Sequence, residues 1–590
     1  MTDLGMLSVL TWRQGNVMAI ELLPLERAGL PDAVDAQILV VANACQTVDE
    51  TLDQFKFGAE NPDLLTLNNG AYLDLYRSMI PEIDGERREI VDAVNHLRRQ
   101  RPGGLINEHN SSSLNGVYLY DFLGRSGYAG RIDLVDNIDL EPERAVELTK
   151  AADVVLLSTT FITSVSTIVR VVELVKSWNP KALVVVGGAK LTQYSDDREI
   201  HGAARVADAL ILSPNGERTL LEVIRRLVLG ESIAKVPNVA YNDGTFRCTS
   251  RNLHDGVDID ANSVRWDQLP SYILRSSVNM RTGRGCPFKC KFCTFPSYND
   301  QQVDLMEQDS IIGQLRQIMT LPQVGSVRFV DDTLFLNRNH LISVCKQMID
   351  IGFDKPWTAY LRSTTLTDEC VRFLSEAGCQ LVLVGVESAD QTVLNKMFKG
   401  TKEKHNWAAA ENLAKHDVMG FAFMLVGFPG ETTKSVDRSI DFLNNSGIHS
   451  YVHSPLFVFP NSPLAREARE FGLRGGFNDW SHETMDCQTA VEECGRMFTE
   501  VHNAAYIDRG SSVTKILLDH GASVGEVQRM GLLHNEMARR QHAGLDDTAA
   551  RDEFAVLTAS AHGTAQEIDS VTTPYSRVDG RLEITSPARY

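Results

Sequence analysis

Short apolar runs alternate with longer helix-like stretches along most of the chain. In the N-terminal half the apolar runs cover residues 63–67, 131–135, 154–158, 182–186 and 209–212. Helical periodicity marks most of the intervening stretches, such as 114–127 and 164–178. Strands separated by helices favour a parallel sheet that is covered on both faces. Residues 61–235 are therefore predicted to form a doubly wound α/β domain, with ligands at the carboxyl ends of its strands.

The same alternation of strand-like and helix-like segments recurs in the second half of the chain. Apolar runs at 326–330, 357–361, 380–386, 420–426 and 451–459 are each followed by a helix-like stretch, and one more strand precedes Cys286. Six β-α units therefore fit between about residues 277 and 463, which predicts a partial barrel within residues 271–465. Barrels of this kind place reactive groups at the carboxyl ends of their strands.

The remaining segments connect or flank these two domains. Residues 1–60 are assigned to an N-terminal extension, and residues 236–270, with the turn signal Asn242-Asp243-Gly244, to a linker. Residues 466–590 have helical periodicity over 488–542 and a polar end. They are predicted to form a mainly helical C-terminal region with a flexible tail.

Three cysteines, Cys286, Cys290 and Cys293, stand at spacing C-x3-C-x2-C in one glycine-led loop. Three thiolates can hold three irons of a [4Fe-4S] cluster and leave the fourth iron open, whereas an electron-transfer cluster usually has four cysteine ligands. A zinc site needs four Cys or His ligands, and the other seven cysteines contain no second C-x2-C pair. A disulfide framework is disfavoured because ten cysteines in 590 residues is ordinary usage. The favoured interpretation is an iron–sulfur cluster with one open iron.

Small and polar residues follow the predicted strands where ligands are expected. In the N-terminal domain these are Ser158, Thr159, Gly187, Gly188, Asn215, Gly216 and Glu217. In the barrel they are Asp331, Asp332, Arg362, Glu387, Ser388 and Gly427. Each alone could be a turn residue or a hydrogen-bonded acid. Because all of them follow predicted strands, they favour two ligand sites, one in each domain. The glycines would let the backbone approach a bulky ligand closely.

Composition narrows the choice of partners. The net charge is −19, from 58 basic and 77 acidic residues, which argues against nucleic acid because phosphate contacts need clustered Lys and Arg. The chain has no apolar run of 18 residues and no charged-then-apolar leader, so no membrane partner and a cytoplasmic location are expected.

The cysteine spacing, with Phe292 just before the last cysteine, resembles the motif of the radical S-adenosylmethionine superfamily. In that family the open iron is chelated by the amino and carboxylate groups of S-adenosylmethionine, and the barrel is a partial (β/α)6, TIM-like one. The resemblance implies that the three cysteines bind the cluster. It also implies that the residues after the second and fourth barrel strands hold the methionyl and ribose parts of S-adenosylmethionine, and that 427–431 approach its adenine.

Joined to this motif, the pair Gly187-Gly188 resembles the Rossmann-like cobalamin-binding domain of the class B radical methyltransferases. No G-x-G-x-x-G follows a strand, which disfavours a dinucleotide enzyme. Many such domains carry D-x-H-x-x-G, whose histidine becomes the lower ligand of cobalt, and this chain has no such motif. Arg77 is a candidate for the lower face. It stays protonated and cannot be a ligand, but it could exclude water; the alternative is a surface arginine on a helix.

The resemblance implies a methyltransferase with three cofactors: the [4Fe-4S] cluster, cobalamin that carries the methyl group as methylcobalamin, and S-adenosylmethionine. Among class B members the chain resembles enzymes of antibiotic biosynthesis, and C2 of L-tryptophan in thiopeptide biosynthesis is the preferred acceptor. Partners would be a small-molecule substrate, expected to be an aromatic amino acid, and an external electron donor. P-methylation, pyrrole C-methylation and radical oxidative cyclisation remain alternatives, as do a methylthiotransferase and a non-catalytic redox protein.

Overall fold

The computed structural model describes residues 34–45, 71–98, 105–250, 256–295, 303–507 and 511–560, apart from 73, 107–108, 127–129, 163, 195–196, 214 and 336. It also describes two antiparallel strand pairs, Val9–Arg13 with Asn16–Ile20 and Tyr575–Val578 with Arg581–Ile584. The larger part of the chain forms two seven-stranded sheets and the helices around them. None of the described helices is both long and apolar enough to cross a membrane.

The first sheet contains strands β1 to β7 in the order β7-β6-β5-β4-β3-β1-β2: β1 Ile38–Val41, β2 Ile132–Val135, β3 Val154–Ser158, β4 Leu183–Gly187, β5 Ala209–Ile211, β6 Val239–Asn242 and β7 Phe246–Cys248. β1 to β5 are parallel, and β6 and β7 add an antiparallel edge. The parallel order 2-1-3-4-5 is doubly wound, and ligands bind such sheets where the strand order reverses, beside β1 and β3. The predicted doubly wound fold is confirmed.

The helices that pack on this sheet are α2 Leu114–Arg125, α3 Pro142–Ala151, α4 Val165–Trp178, α5 Asp197–Ala204 and α6 Glu217–Val228. The helix before them, α1 Ile90–Arg98, packs instead with residues of the C-terminal region. α2 and α6 pack on one face, and α3, α4 and α5 pack on the other. The strands are buried on both faces, which is why they read as continuous apolar runs such as Val-Val-Leu-Leu in β3.

Two predicted boundaries of this domain are corrected. β1 lies within the segment assigned to the N-terminal extension, yet it belongs to this sheet: it pairs with β2 and β3, and its four apolar residues are at most 1% exposed. The strand predicted at 63–67 lies outside the described residues. The segment assigned to a linker supplies β6 and β7, which turn at Asn242-Asp243-Gly244, so this turn closes a hairpin. Gly244 takes a φ of +98° there.

The second sheet contains strands β8 to β14, which are parallel and follow one another in chain order: β8 Ser277–Met280, β9 Ser326–Phe329, β10 Trp357–Leu361, β11 Cys379–Glu387, β12 Met419–Val426, β13 Ser450–Pro455 and β14 Ala505–Tyr506. In the part of the chain that the structure describes, edge strands β8 and β14 do not pair with each other. The predicted partial barrel of six β-α units is confirmed, and β14 extends it.

The outer face of the barrel is covered by the helices between its strands: α7 Gln308–Met319, α8 Arg338–Asp350, α9 Asp368–Glu376, α10 Gln391–Lys396, α11 Glu403–Lys415 and α12 Thr433–Asn445. Polar side chains begin several of them. Thr367 accepts a hydrogen bond from Cys370 N at the start of α9, and Asp390 does so from Thr392 N and Val393 N at the start of α10. Such caps satisfy backbone donors that a helix start leaves free.

The C-terminal region is mainly helical, as predicted. It contains α13 Pro463–Arg466, α14 Cys487–Glu500, α15 Ser511–Asp519, α16 Val524–His542 and α17 Thr548–Ser560, together with a small sheet of Arg474–Gly476, Asp479–His482 and Met485–Asp486. α15 packs against the concave face of the barrel, where Val513, Ile516 and Leu517 meet Leu383 and Phe421. We call this concave space the lumen.

The two sheets share one apolar core. Residues of α2 and α6 belong to the same buried cluster as β8, β9 and the outer barrel helices. Trp266, in the segment between the sheets, is 1% exposed and donates from Nε1 to Gln314 Oε1 at 3.1 Å. This shared core fixes the carboxyl edge of the first sheet against the barrel.

Candidate active site

The cysteine loop follows β8. Gly283–Arg284 pairs with Asp304–Leu305, and Gly285 then turns the chain with a φ of +83°. Further along, Lys291 N donates to Met397 O at 2.9 Å, and Leu464 N donates to Lys291 O at 2.8 Å. These backbone bonds hold the loop across the open ends of the barrel strands.

The three thiols of this loop interact with one another; Cys290 is buried, and Cys286 and Cys293 are half-buried. Burial is the main cause that raises the pKa of Cys293 to about 12, and the charges of Cys290 and Cys286 add to it. Burial also raises the pKa of Cys286. Buried thiolates here need a compensating cation, which iron would supply. The described part of the chain gathers no three His, Cys, Asp or Glu side chains tightly enough for a single metal ion. Three cysteines in one loop fit a cluster in which each thiolate binds a different iron.

Arg362 and Glu387, predicted from strand ends, both reach the cysteine loop. The Arg362 guanidinium lies 3.6 Å from the centre of the Phe288 ring, and it donates to Thr401 Oγ1 at 3.2 Å and to Lys399 O. Glu387 Oε1 accepts from Lys399 Nζ at 2.7 Å. The structure brings these side chains together beside the cluster loop.

Glu387 stands where the fold is irregular. It has a φ of +63°, and the pairing of β11 with β12 shifts register between Gly385 and Glu387. A Cβ on Gly385 would lie 2.5 Å from Glu387 Oε1 and 2.7 Å from Lys399 Nζ, so this glycine makes room for the ion pair. Strain of this kind persists where the surroundings enforce it, and it clusters at functional sites.

Asp331 and Asp332 follow β9; Asp331 is buried, whereas Asp332 beside it is exposed at the surface of the site. Asp331 Oδ1 accepts from Thr282 N at 2.7 Å, whereas Asp331 Oδ2 is buried without a hydrogen-bond partner in the described structure. Burial raises the pKa of Asp331 to about 6; burial and then the charge of Asp331 raise that of Asp332 to about 7. An orphaned acceptor beside the cluster loop suits a ligand that donates hydrogen bonds, such as an amino group.

Ser388 and Gly427 lie farther along the barrel edge. Ser388 is fully buried, and its Oγ accepts from Asp390 N at 3.2 Å. Gly427 has a φ of +98°, and a Cβ there would lie 2.5 Å from Trp480 Cη2. Gly427 N donates to Glu431 Oε2 at 2.5 Å, and burial raises the pKa of Glu431 to about 8. Gly427 thus packs closely against Trp480, and this contact fixes the position of its loop.

The carboxyl ends of β3 and β4 lie side by side, and we call the backbone surface around Ser158, Thr159, Gly187 and Gly188 the cradle. Thr159 N and Thr159 Oγ1 both donate to Gly187 O, at 2.7 and 3.1 Å. Gly188 has a φ of +120°, and a Cβ there would lie 2.9 Å from Thr159 N. Ser158 Oγ accepts from Asn115 Nδ2 at 2.6 Å. Two successive glycines at the carboxyl end of β4, next to β3, fit the close approach of a large, flat cofactor.

The end of β5 leads into α6 through Gly216, the residue before that helix, where a Cβ would lie 2.6 Å from Ile211 Cγ2. Glu217, the first residue of α6, accepts from Tyr118 OH at 2.9 Å. Arg284 of the cysteine loop joins this group. Its Nη2 lies 2.8 Å from Glu217 Oε1, and its Nη1 lies 3.4 Å from Asn215 Oδ1.

Arg77 does not join these buried residues. Its side chain is 51% exposed and forms an ion pair of 3.3 Å with Asp74, one turn earlier. Its carbonyl accepts from Arg87 Nη1 at 2.9 Å. This arrangement favours the surface interpretation, and the role of Arg77 at the cofactor stays a prediction.

Sequence reasoning missed several residues that complete the site. Arg284 had a usable signal, because it stands two positions before Cys286 in a loop already assigned to chemistry. Tyr118, Asn115 and Lys399 had none, because they lie on helices or loops far from any motif and meet the site only in three dimensions.

A separate surface cleft of about 660 Å³ opens beside edge strand β2. It is lined by residues that include Tyr120, Arg131, Arg144 and Tyr272. None of the predicted site residues lines it. The facing carboxyl edges of the two sheets are therefore the better candidate for chemistry.

Comparison with known proteins agrees with this geometry. Residues 280–443 match the family model of the radical SAM superfamily. An uncharacterized methyltransferase of Pyrococcus horikoshii is 25% identical over 374 residues, which is 62% of this chain and 80% of that protein. The bacteriochlorophyllide d C-12(1)-methyltransferase of Chlorobaculum tepidum is 27% identical over 267 residues, which is 44% of this chain and 57% of that enzyme.

Solved structures share the fold. The radical S-adenosylmethionine methyltransferase TsrM from Kitasatospora setae, with cobalamin and a [4Fe-4S] cluster bound, superimposes with a TM-score of 0.58 at 14% identity over 73% of this chain and 97% of that one. The cobalamin-dependent enzyme OxsB, with aqua-cobalamin and S-adenosylmethionine bound, gives 0.52 at 13% identity over 84% and 89%. A form of TsrM with its tryptophan substrate and an S-adenosylmethionine analogue gives 0.53 at 15% identity over 75% and 97%. Residues 280–443 are thus a radical S-adenosylmethionine domain, within a chain that has the fold of cobalamin-dependent enzymes of that superfamily.

Proposed function

We propose that this protein is a cobalamin-dependent radical S-adenosylmethionine C-methyltransferase. It takes a methyl group from S-adenosylmethionine and delivers it, through cobalamin, to a small-molecule acceptor. The preferred acceptor is C2 of L-tryptophan, as in the biosynthesis of a thiopeptide antibiotic.

The observation that carries the proposal is the contact between the carboxyl edges of the two sheets, where the ligands are expected to bind. Arg284 belongs to the cysteine loop, and Asn215 and Glu217 belong to the carboxyl edge of the first sheet. A methyl group can pass between two cofactors only if they are held close together and correctly oriented. Arg284 fastens the two edges together at this point.

The residues divide into two binding sets under this proposal. Cys286, Cys290 and Cys293 hold the cluster, and the barrel residues Asp331, Asp332, Arg362, Glu387, Ser388 and Gly427 surround S-adenosylmethionine. Ser158, Thr159, Gly187, Gly188, Asn215, Gly216 and Glu217 form the cobalamin cradle. When bound, cobalamin supplies the methyl carrier and the cluster anchors S-adenosylmethionine; the chain binds and orients both and keeps water away.

The choice of tryptophan rests on two supports. TsrM, which has the same fold, is described with a tryptophan substrate. The lumen of this chain holds a parallel aromatic pair, Tyr360 and Phe423, with ring centres 6.2 Å apart and an interplanar angle of 17°. Flat aromatic surfaces favour stacking with an aromatic substrate.

Cofactor binding tests the proposed class. After anaerobic reconstitution, the wild-type protein is expected to retain iron, sulfide and cobalamin. The triple substitution of Cys286, Cys290 and Cys293 by Ala is expected to lose iron and sulfide while keeping cobalamin. The matched control, Cys345→Ala, replaces a buried cysteine of helix α8 and is expected to keep all three. Undiminished iron and sulfide in the triple variant would contradict the proposal that these three cysteines bind the cluster.

A further inference from the structure

The lumen of the barrel is filled at one end and open at the other. Along β12 the inward side chains pass from Phe421, which is fully buried, to Phe423, which is partly exposed. Along β13 they pass from the buried Ser450 through the partly exposed Val452 to the exposed Ser454. Exposure rises toward the carboxyl ends of both strands, so a space opens there above a packed floor.

Lys515 of α15 is part of that floor. The residue is 7% exposed, and its Nζ lies 3.3 Å from Tyr360 OH and 4.8 Å from the centre of the Tyr360 ring. An ammonium group has three hydrogen-bond donors. Tyr360 OH is its hydrogen-bond acceptor in the described structure, which leaves two donors available.

The neighbouring carboxylate does not neutralise Lys515. Asp519, one turn later on α15, is ion-paired with Arg328 and also accepts from Ser326 Oγ at 2.5 Å and from Asn110 Nδ2 at 2.9 Å. Both oxygens of Asp519 are thereby engaged. Arg328, Lys515 and Asp519 together leave one positive charge in the floor. A buried charge without an ionic partner destabilises a protein. Its presence here therefore indicates that the charge has a function, such as binding an anion.

From these contacts we infer that Lys515 binds the carboxylate of the substrate, whose flat apolar body lies along Tyr360, Phe423 and Val452. The inference rests on the proposed function, because it assumes that the acceptor enters the barrel lumen. It deepens that proposal by naming the substrate class: an aromatic or flat apolar small molecule that carries a carboxylate. Burial lowers the pKa of Lys515, and a bound anion would restore its charged form.

A pair of probes that match in shape and differ in charge tests the inference. Indole-3-propionate and indole-3-propionamide have nearly the same shape, but only the first carries a negative charge. Binding of each probe to the anaerobic holoenzyme is measured by equilibrium dialysis without turnover. The wild type is expected to bind the acid at least about tenfold more tightly than the amide, since a charge-assisted hydrogen bond is worth that much.

Lys515→Met keeps the length of the side chain and removes its charge, and it is expected to abolish the preference for the acid. The exposed Lys404→Met on α11 is the control and is expected to retain the preference. Equal affinities for the two probes in the wild type, an unchanged preference in Lys515→Met, or no saturable binding of the acid would each overturn the inference.

Thermal unfolding provides a second measurement that needs no ligand. Replacing an unpaired buried cation by Met is expected to leave the melting temperature unchanged or to raise it. A melting temperature several degrees lower would mean that Lys515 is structural. Iron and cobalamin contents of the same samples report on the proposed function separately, so a failed carboxylate site would leave that proposal standing.

Discussion

Arg284 Nη2 lies 2.8 Å from Glu217 Oε1, and this ion pair joins the cysteine loop of the barrel to the first residue of helix α6 in the other domain. Both side chains are at most 8% exposed, and Tyr118 OH bonds to each of them. The arrangement makes the geometry of one ligand edge depend on that of the other.

Arg284→Met is therefore expected to destabilise the protein. It leaves the Glu217 carboxylate buried without its cation, which typically costs about 3–5 kcal/mol. Urea unfolding measures the loss, and the Arg284→Met/Glu217→Gln double variant is expected to recover part of it. Arg131→Met removes an exposed arginine paired with Asp133 and is expected to leave the unfolding midpoint unchanged. An equal effect of Arg284→Met and Arg131→Met would contradict the importance of the buried pair.

Gly188→Ala tests the cradle at the end of β4. Its φ of +120° is unfavourable for alanine, and the new Cβ would lie 2.9 Å from Thr159 N. We expect a loss of more than about 1 kcal/mol in unfolding free energy and weaker cobalamin retention. Gly124→Ala is the control, because it lies in helix α2 with nothing within 4 Å of its Cβ position. That control is expected to stabilise the protein by about 0.5–1 kcal/mol.

Glu431 gives stability a specific pH dependence. Burial raises its pKa to about 8 from an ordinary value of 4.5. Between these values the folded state holds a proton that the unfolded state has released, so this carboxyl lowers stability as pH rises through the window. Its contribution is at most about 1.4 kcal/mol per pH unit.

Glu431→Gln is expected to make the unfolding free energy depend less steeply on pH between 5 and 8, values chosen to lie inside that window. Urea titrations of the wild type and the variant across this range measure the difference. Asp331 and Asp332 also have raised pKa values and act in the same direction in both proteins, so the comparison isolates Glu431. Identical slopes would show that Glu431 does not titrate in this window.

The role predicted for Arg77 is tested by Arg77→Lys. Lysine can keep the exposed pairing with Asp74 but lacks the planar fork of arginine. If Arg77 acts on the cobalamin, the variant retains both cofactors and loses most of its methyl transfer, while Arg131→Lys, which replaces an exposed arginine paired with Asp133, does not. Equal turnover in the wild type and Arg77→Lys would assign Arg77 to the surface.

The sequence predicted the two parallel sheets because buried parallel strands are apolar on both faces and stand out between helices. It did not reveal β1, although Ile38–Val41 is as apolar as β3, because this run has only four residues and is far along the chain from the next strand of the sheet, Ile132–Val135. It predicted a linker where β6 and β7 form, because short edge strands carry polar residues such as Arg247 and resemble loops.

The cysteines and the polar residues after the strands could be proposed as site residues from the sequence, since alternating strands and helices bring the carboxyl ends of parallel strands to one edge of a sheet. The partners of these residues could not. Arg284 meets Glu217, and Lys515 meets Tyr360, across separations of 67 and 155 residues that no local pattern encodes. Contacts of this kind depend on how the two sheets and α15 dock, which only the folded structure reveals.

The account as a whole is tested most directly by following a labelled methyl group. The anaerobic holoenzyme is incubated with S-adenosylmethionine carrying a deuterated methyl group, L-tryptophan and a reductant, and the products are analysed by mass spectrometry. We expect 2-methyltryptophan that carries the intact deuterated methyl group, and none from the triple cysteine variant. If the labelled methyl group appears on another small molecule, the protein is a methyltransferase with a different acceptor. An enzyme replete with both cofactors that transfers no labelled methyl group to any of a panel of aromatic carboxylates would contradict the account.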